Sequence, residues 1–383
     1  MLSRIAESLY WIGRYVERAE DTARITDVNF HHTLGMGGSP EAEARQARHW
    51  EALIAIVGDE ERFFAAYGEA TEETVPTYLT FDTDNPNSIV SCVARAREQA
   101  RTMRHQIASE MWEALNQFHL GLQRRQERDA ARNGLVGIEN AHYFYRSVAE
   151  FSHLFQGVTD STMPREEGWY FLQAGKFLER AEKTARALDV KYHLLVADAD
   201  PAAPVSGPGF AAAASEVAAD AVPGDWQQWI AVLRSLSAYE AYHKLYRSGV
   251  RPRSVIEMLT LSPVFPRSIR FSIGEVEGAL ARIAAYHAYD PENTGQPGHS
   301  GLGNLVVRDG VATPFALSGG AEQAERAVGR LRSQLAYSLV DEIFQADLHA
   351  YLVDIQRRCY AIGEHIQAQY FAPRTLRPEE VFA

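Results

Sequence analysis

The chain reads Gly13-Arg14-Tyr15-Val16-Glu17-Arg18-Ala19-Glu20-Asp21-Thr22-Ala23-Arg24 near its start and Gly175-Lys176-Phe177-Leu178-Glu179-Arg180-Ala181-Glu182-Lys183-Thr184-Ala185-Arg186 near its middle. The longer stretches 13–31 and 175–193 are identical at eleven of nineteen positions, at an offset of 162 residues. Average amino-acid usage predicts about one identity between unrelated segments of this length. The chain therefore carries an internal duplication, and the charges repeated in it need an explanation.

The repeated polar residues form a narrow stripe on a predicted helix. At about 100° per residue, they fall within roughly 80° of one another, beside a separate apolar face. Their spacing of three and four residues is the spacing that apolar residues normally use. The stripe consists of Glu17, Glu20, Arg24, Asp27 and His31 in the first copy and of Glu179, Glu182, Arg186, Asp189 and His193 in the second.

Such a stripe has two interpretations. A single Glu/Arg stripe is usually a solvated face with weak ion pairs. Surface pairs contribute little to stability, however, so drift should scramble them between two copies, whereas here the charges agree and several apolar neighbours differ. Buried carboxylates and guanidiniums must be paired to offset desolvation. The duplication therefore favours a buried or functional pairing of the two stripes.

The Glu-Arg dipeptides suggest which partners meet. We expect Glu17 and Glu179 to point into the interface between the repeats and to accept hydrogen bonds there, first from Arg24 and Arg186. The arginine after each glutamate lies about 100° away on the wheel and must address a different neighbour. We therefore expect two arginines to tie their helix to another helix of the same half: Arg18 and Arg180.

Composition excludes several classes of protein. The 383 residues carry a net charge of −12, which disfavours binding to nucleic acid or to an anionic membrane. Two isolated cysteines, Cys92 and Cys359, fit a reducing compartment without disulfides. We see no secretory apolar core at the start and no apolar run long enough for a membrane span, so we expect a cytoplasmic protein.

Helical periodicity dominates the chain and predicts an all-α fold. Weaker matches at offsets of 179 and 180 residues extend the duplication, which predicts two tandem pseudo-symmetric helical repeats forming one bundle. The repeats are expected at 1–160 and 161–383, with the duplicated helices at 3–34 and 166–196 in the centre. Further helices are expected at 225–247 and throughout 320–371. We expect a connection at 74–87, a disordered insertion at 197–224 and a Gly-rich loop at 291–320.

Catalytic signatures are largely absent: the sequence has no GxSxG elbow, Walker A loop, HExxH or strand-borne GxGxxG. Glu-x-x-His pairs are typical of ferritin-like metal sites, but one or two are expected by chance in a chain with 13 histidines. Asp27/His31 and Asp189/His193 could bind a metal or a proton, or cap a helix end. Because these patterns have chance or structural explanations, we predict no metal and no cofactor. The Glu-x-x-His pairs are Glu139/His142, Glu150/His153 and Glu240/His243.

Several phrases together resemble the bacterial alpha-E domain proteins, an all-helical family named for a Glu-Arg motif. They are residues 9–24 and 168–186, with Asn85-Pro86-Asn87-Ser88-Ile89, residues 109–116, residues 237–242 and Phe265-Pro266-Arg267-Ser268-Ile269. The resemblance implies a place beside, or fused to, a circularly permuted ATP-grasp amide-bond ligase. It also implies transglutaminase-like and proteasome-like peptidases as further partners. No ATP-grasp segment is present here, so we expect the ligase to be a separate chain.

Three functions remain open at this point. The leading one is a helical accessory protein that binds the ligase and presents a substrate or carrier to it. The second is an enzyme that uses the Glu/Arg/Asp/His stripes for acid–base chemistry on a peptide or amino acid. The third is a purely structural oligomer. In each case the candidate residues are the two stripes with Arg18 and Arg180, and the substrate and oligomeric state stay open.

Overall fold

Helices account for nearly all of the computed structural model, which describes residues 3–33, 40–130, 138–199, 226–247, 249–287, 305–308, 311–314 and 323–372. This confirms the predicted all-α fold. The first eight are α1 (Ser3–Thr33), α2 (Pro40–Val57), α3 (Glu60–Tyr67), α4 (Thr74–Thr80), α5 (Ile89–Thr102), α6 (Ser109–Ala130), α7 (Ile138–Thr162) and α8 (Glu167–Ala199). The others are α9 (Trp226–Ser235), α10 (Tyr239–Leu245), α11 (Pro252–Leu261), α12 (Ile269–His287), α13 (Gln323–Tyr337), α14 (Val340–Ala346) and α15 (Leu348–Ile366), which runs into a π-helical turn (Gln367–Phe371).

The two duplicated helices, α1 and α8, lie against each other and run parallel. Their backbones touch where each copy has its glycine. A Cβ on Gly13 would overlap the carbonyl oxygen of Leu172, and a Cβ on Gly175 would overlap that of Tyr10. Only glycine permits this close approach, and the approach brings the polar residues of both copies within reach of each other.

The remaining helices surround this pair in a reciprocal manner. Helices α5 and α7 pack against α1, and α12 and α15 pack against α8. Helix α2 of the first half also reaches α8, and α9 of the second half reaches α1. The described helices of both halves therefore share one bundle. The division into repeats at 1–160 and 161–383 stays a prediction.

Serine caps begin two of the helices that flank the central pair. The Ser88 hydroxyl accepts a hydrogen bond from the Ser91 amide at 3.2 Å, at the start of α5. In the second half, the Ser268 hydroxyl accepts one from the Phe271 amide at 3.0 Å, at the start of α12. Each cap satisfies a backbone donor that the first turn leaves open. These caps hold the loops 85–88 and 265–268 beside α1 and α8.

The helix boundaries differ from expectation in two places. Helix α4 lies in the expected connection 74–87, because Val75, Tyr78 and Leu79 form a buried face and Pro76 is tolerated in a first turn. The helix expected at 225–247 is broken at Ser237, whose φ is 51°. The region 320–371, expected to be helical, contains three α-helices, and Asp347, at φ 90°, separates the last two.

A two-stranded antiparallel hairpin lies within the stretch expected to be a Gly-rich loop. Strand β1 (Leu305–Arg308) pairs with β2 (Val311–Pro314). Sequence analysis missed it although Asp309-Gly310 between two β-branched runs is a strong hairpin signal. The expected insertion 197–224 falls, after the end of α8 at Ala199, outside the described residues.

Two further expectations concerned membrane-spanning helices and the cysteines. None of their helices is both long and apolar enough to cross a lipid bilayer. Cys92 and Cys359 are buried free thiols.

The glycine contact yields a test of the central packing. Replacing Gly13 or Gly175 by alanine should push α1 and α8 apart and lower the free energy of unfolding by about 2 kcal/mol or more. Gly157→Ala on α7 is the matched control, because a Cβ there meets nothing within 4 Å. That change should be neutral or stabilising by up to about 1 kcal/mol. Equal effects of all three changes in chemical denaturation would contradict the close approach.

Candidate functional site

Glu179, on α8, is held by two arginines of α1. The Arg14 Nε donates to its Oε2 at 2.6 Å, and the Arg18 Nε donates to its Oε1 at 2.6 Å. The Glu179 side chain is 0% exposed. Arg14 also donates to Glu182 at 2.9 Å. Burial alone would raise the pKa of Glu179, but Arg14 and Arg18 outweigh it and hold this pKa well below its usual range. We call Arg14, Arg18, Glu179 and Glu182 the Glu179 cluster.

Glu17, on α1, has the converse arrangement. Arg180 of α8 binds it bidentately, with Nε 2.5 Å from Oε1 and Nη2 2.7 Å from Oε2. Gln156 of α7 adds a weaker hydrogen bond at 3.3 Å. The Glu17 side chain is 0% exposed and that of Arg180 is 7% exposed. The fork geometry of a guanidinium is what makes such a buried pair specific.

The Glu-Arg motifs therefore exchange partners between the two halves. The prediction that Glu17 and Glu179 lie at the interface agrees with this geometry, but the predicted donors were wrong. Arg18 and Arg180 each cross the interface, and each also keeps a hydrogen bond to its own half, Arg18 to Asn87 and Arg180 to the Pro266 carbonyl. The residues predicted as donors do not reach across to these glutamates: Arg24 donates to Glu20 at 2.8 Å and contacts His153 of α7, and Arg186 lies 3.8 Å from Glu182.

Glu20 is held by residues that are distant in sequence. Arg267, in the loop before α12, forms a close ion pair with it, and the Ser152 hydroxyl of α7 donates to it at 2.6 Å. Glu20 is 0% exposed. Burial alone would raise its pKa, but Arg267, His153 and Arg24 together hold the pKa of Glu20 well below its ordinary value. We call Glu17, Glu20, Asp21, Arg180 and Arg267 the Glu17 cluster.

Asp21 is the least satisfied acid of this cluster. Arg267 donates to its Oδ1 at 2.7 Å, while its buried Oδ2 has no hydrogen-bond partner in the described structure. Burial, reinforced by the negative charge of Glu17, raises the pKa of Asp21 to about 7. Asp21 can therefore hold a proton near neutral pH, unlike Glu20 beside it.

The corresponding position of the second copy carries the opposite charge. Lys183 stands where the first copy has Asp21, and it is buried. Burial is the main cause that lowers the pKa of Lys183. Asn87 stands where the second half has Arg267, at an offset of 180, and it accepts a hydrogen bond from Arg18 at 2.7 Å. The two clusters thus share the crossed Glu-Arg pairs but differ in their additional positive charge. In the Glu17 cluster this charge is Arg267, whereas in the second copy Lys183 carries it at the position of Asp21.

The far end of each stripe has a different chemistry. Asp27 of α1 lies 2.9 Å from the Nδ1 of His142 on α7, and His31 lies 3.6 Å from Asp27. Asp189 of α8 likewise lies 2.7 Å from the Nδ1 of His349 on α15. The side chain of His193 lies outside the described residues. Burial raises the pKa of Asp27, although His142 lowers it in part.

Sequence reasoning missed several residues of these clusters. The sequence did contain a signal for two of them: Arg14 repeats as Lys176, and Arg267 belongs to one of the phrases that carry the family resemblance. Ser152 and His142 had none that points to α1, because their helix shows no clear repetition elsewhere in the chain. Only the packing of α7 on α1 identifies them.

A cavity of about 750 Å³ lies away from both clusters. It is bounded by the start of α1, the connection between α5 and α6, and the connection between α7 and α8. Its apolar lining includes Ile5, Leu9, Ile107, Met163, Trp169 and Tyr286. None of the predicted site residues lines this cavity.

Comparisons with known proteins identify a family that carries the Glu-Arg motif. A family model named Alpha-E, described as a predicted alpha-helical domain with a conserved ER motif, matches residues 1–302 and 313–371. Similar proteins, described as uncharacterised, come from Mycobacterium bovis and from two strains of Mycobacterium tuberculosis. Each is 24% identical over 193 residues, or 46% of this chain, and the chain spans only 21% of the relative's length. No solved structure matches significantly.

The buried pairs make a prediction about stability. Glu17→Ala leaves Arg180 without its bidentate acceptor, and Glu179→Ala does the same to Arg14 and Arg18, so each should cost roughly 3–5 kcal/mol in the free energy of unfolding. Glu17→Gln should cost less, because the amide oxygen still accepts one bond. Glu150→Ala, which removes an ion pair with Arg146 exposed by more than half on both sides, should change stability by less than about 1 kcal/mol. Chemical denaturation measures all four, and silent changes at Glu17 and Glu179 would refute their burial.

Asp21 makes a prediction about pH. Its pKa in the folded protein is raised to about 7, so the folded state binds a proton that the unfolded state has released above about pH 4. Wild-type stability therefore loses the Asp21 contribution as pH rises from about 4 to 7, by at most about 1.4 kcal/mol per pH unit. Asp21→Asn removes this slope, so the variant should gain on the wild type between pH 5 and 7.5.

Asp341→Asn is the control for this measurement. Asp341 is paired with Arg253 at the surface, and this partner lowers its pKa, so it does not titrate in the same range. Denaturation curves at several pH values report the difference. A constant difference between Asp21→Asn and wild type across this range would show that Asp21 stays ionised.

Proposed function

The chain belongs to the Alpha-E family, and we propose that it is a helical interaction module of an amide-bond-forming system. Its partner is a circularly permuted ATP-grasp ligase, to which it presents a peptide, amino acid or carrier. Transglutaminase-like and proteasome-like peptidases are further partners of the same system.

The burial of the Glu-Arg motifs is the observation that carries this proposal. The carboxylates of Glu17, Glu20 and Glu179 are 0% exposed, and each is bound by at least one arginine. A general acid or base must come within hydrogen-bond reach of its substrate. These carboxylates could do so only if the helices and the loop packed around them separated. The motif is therefore better suited to holding a scaffold together than to chemistry, and this favours a function carried by the outer surface.

The relatives support a modular role as well. The segment that matches this chain makes up 21% of each mycobacterial protein, so most of each relative lies outside the match. A helical unit that occurs within much longer chains is expected to work together with other domains. We propose the same cooperation for this protein and its ligase.

A catalytic role is the second candidate, and one observation favours it. Asp21 is buried, has an unpartnered oxygen and a pKa raised to about 7. Perturbed carboxyl groups of this kind cluster at active sites, although structural ion-pair networks also produce them. Asp21 would be the proton carrier of such an enzyme, with Arg267 as its positioning residue.

Reconstitution with the ATP-grasp ligase of the source organism separates these candidates. We expect the full chain to form a stable complex with the ligase in size-exclusion chromatography with light scattering. We also expect it to raise the rate of ATP-dependent amide formation. Absence of both effects would overturn the proposal, and a self-assembly unaffected by the ligase would favour the structural oligomer.

Two variants complete the experiment at a temperature where circular dichroism shows them folded. Glu17→Gln and Asp21→Asn change buried charge without removing volume, so under the scaffold proposal they support the ligase as well as wild type does. Glu150→Gln, at an exposed site, serves as the control. A folded Asp21→Asn protein that still binds the ligase but loses amide formation would favour the enzyme.

A further inference from the structure

Three side chains with metal-binding atoms converge where α1 ends. Asp27 and His31 stand one turn apart on α1, and His142 comes from α7. The His142 Nδ1 lies 3.0 and 2.9 Å from the two oxygens of Asp27, and the His31 Nε2 lies 3.6 Å from the Asp27 Oδ1. One ligand atom from each residue lies within 4.8 Å of the other two. The His31 and His142 rings meet edge to face, with centroids 5.0 Å apart.

These distances match the size of a metal coordination sphere. Zinc binds imidazole nitrogen and carboxylate oxygen at about 2.0–2.2 Å, so two ligand atoms of one ion lie roughly 3 to 3.5 Å apart. The two histidine–Asp27 distances, 2.9 and 3.6 Å, already lie close to this range, and the remaining separation, at most 4.8 Å, has to shorten by no more than about 1.8 Å for the donors to surround an ion. Two imidazoles and one carboxylate form a donor set used for zinc and for iron(II), and it leaves coordination positions open.

The electrostatic surroundings differ from those of the Glu17 and Glu179 clusters. Arginines neutralise the buried glutamates, whereas the ion-pair partners that the described structure gives Asp27 are the two histidines. The nearest arginine on the same helix, Arg24, is engaged by Glu20 and His153. The Asp27 carboxylate thus pairs with imidazole nitrogens and not with a guanidinium. A cation bound there would supply the missing positive charge.

The triad is also accessible. The side chains of His31 and His142 are 52% and 45% exposed, so an ion could enter from solvent without opening the bundle. Asp27, at 18%, forms the floor of the triad. We propose that Asp27, His31 and His142 form an open binding site for a divalent first-row transition-metal ion such as Zn²⁺. Sequence reasoning predicted no metal, and it could not assign His142 to the Asp27/His31 pair without the packing of α7 on α1.

The alternative explanation is that the histidines simply stabilise Asp27 by hydrogen bonding. The experiment must therefore measure the ion itself. The untagged full chain is stripped with a chelator and titrated with Co²⁺, whose visible absorption reports nitrogen and oxygen ligation, and then with Zn²⁺ as competitor by calorimetry. We expect saturable binding of Co²⁺ and its displacement by Zn²⁺.

Ligand variants identify the site. His142→Ala and Asp27→Asn should each abolish one equivalent of bound Co²⁺ or weaken its binding by more than about 100-fold, because loss of a second-shell partner alone costs 10- to 100-fold. His31→Ala removes a half-exposed ligand and keeps the test usable if the other variants fail to fold. His243→Ala is the matched control: it lies in another Glu-x-x-His pair, and its recorded ring contacts are with Tyr239 and Tyr242.

The outcomes are distinct. Loss of one equivalent in the three triad variants, with His243→Ala like wild type, supports the site. Failure of the wild-type chain to bind Co²⁺, or triad variants that bind it as the control does, overturns the proposal. Loss of binding only on changing His349, which pairs with Asp189 on α8, would also overturn it, because the ion would then occupy the other half. None of these results depends on the presence of the ligase.

Discussion

The exchange of carboxylate and guanidinium groups between α1 and α8 is the interaction on which the rest of the structure depends. Glu17 is bound by Arg180, and Glu179 is bound by Arg14 and Arg18. The exchange requires the two backbones to be in contact at Gly13 and Gly175. Pairs buried this deeply add less net stability than their Coulomb attraction suggests, because desolvation opposes it. Their effect is specificity: a helix shifted by one turn would bury unpaired charges.

The two copies have diverged in their charges while keeping this framework. On one side, Asp21 shares Arg267 with Glu20, and its pKa rises to about 7. On the other side, Lys183 occupies the place of Asp21, and burial lowers its pKa. Both residues are thus pushed toward their neutral forms by the same low-dielectric interior. The interior therefore accepts either an acidic or a basic residue at the position of Asp21 and Lys183, where the side chain can become neutral, but it does not accept an unpaired charge. This explains why the paired arginines and glutamates agree between the copies while this position does not.

Along the stripe of α1, the side chains change from buried to accessible. Glu17 and Glu20 are inaccessible and neutralised by arginine. About two turns beyond Glu20, Asp27 is paired with histidines that are about half exposed. A residue pattern that looks uniform on a helical wheel therefore contains a structural part and a part that can meet a ligand. The proposed roles follow this division, with scaffold function assigned to the buried part and ion binding to the accessible end.

The sequence by itself determined the all-α class and the two central helices, and it favoured the burial of the repeated glutamates, because periodicity and duplication act along one chain. It could not determine which arginine meets which glutamate. A helical wheel gives the direction of a side chain about its own axis, but the partner depends on how close the neighbouring helix comes and on the reach of a long guanidinium. Arg18 and Arg180 cross the interface for that reason. The contacts of Arg267 with Glu20 and of His142 with Asp27 were likewise decided by tertiary structure alone, since the partners lie 247 and 115 residues apart in the sequence.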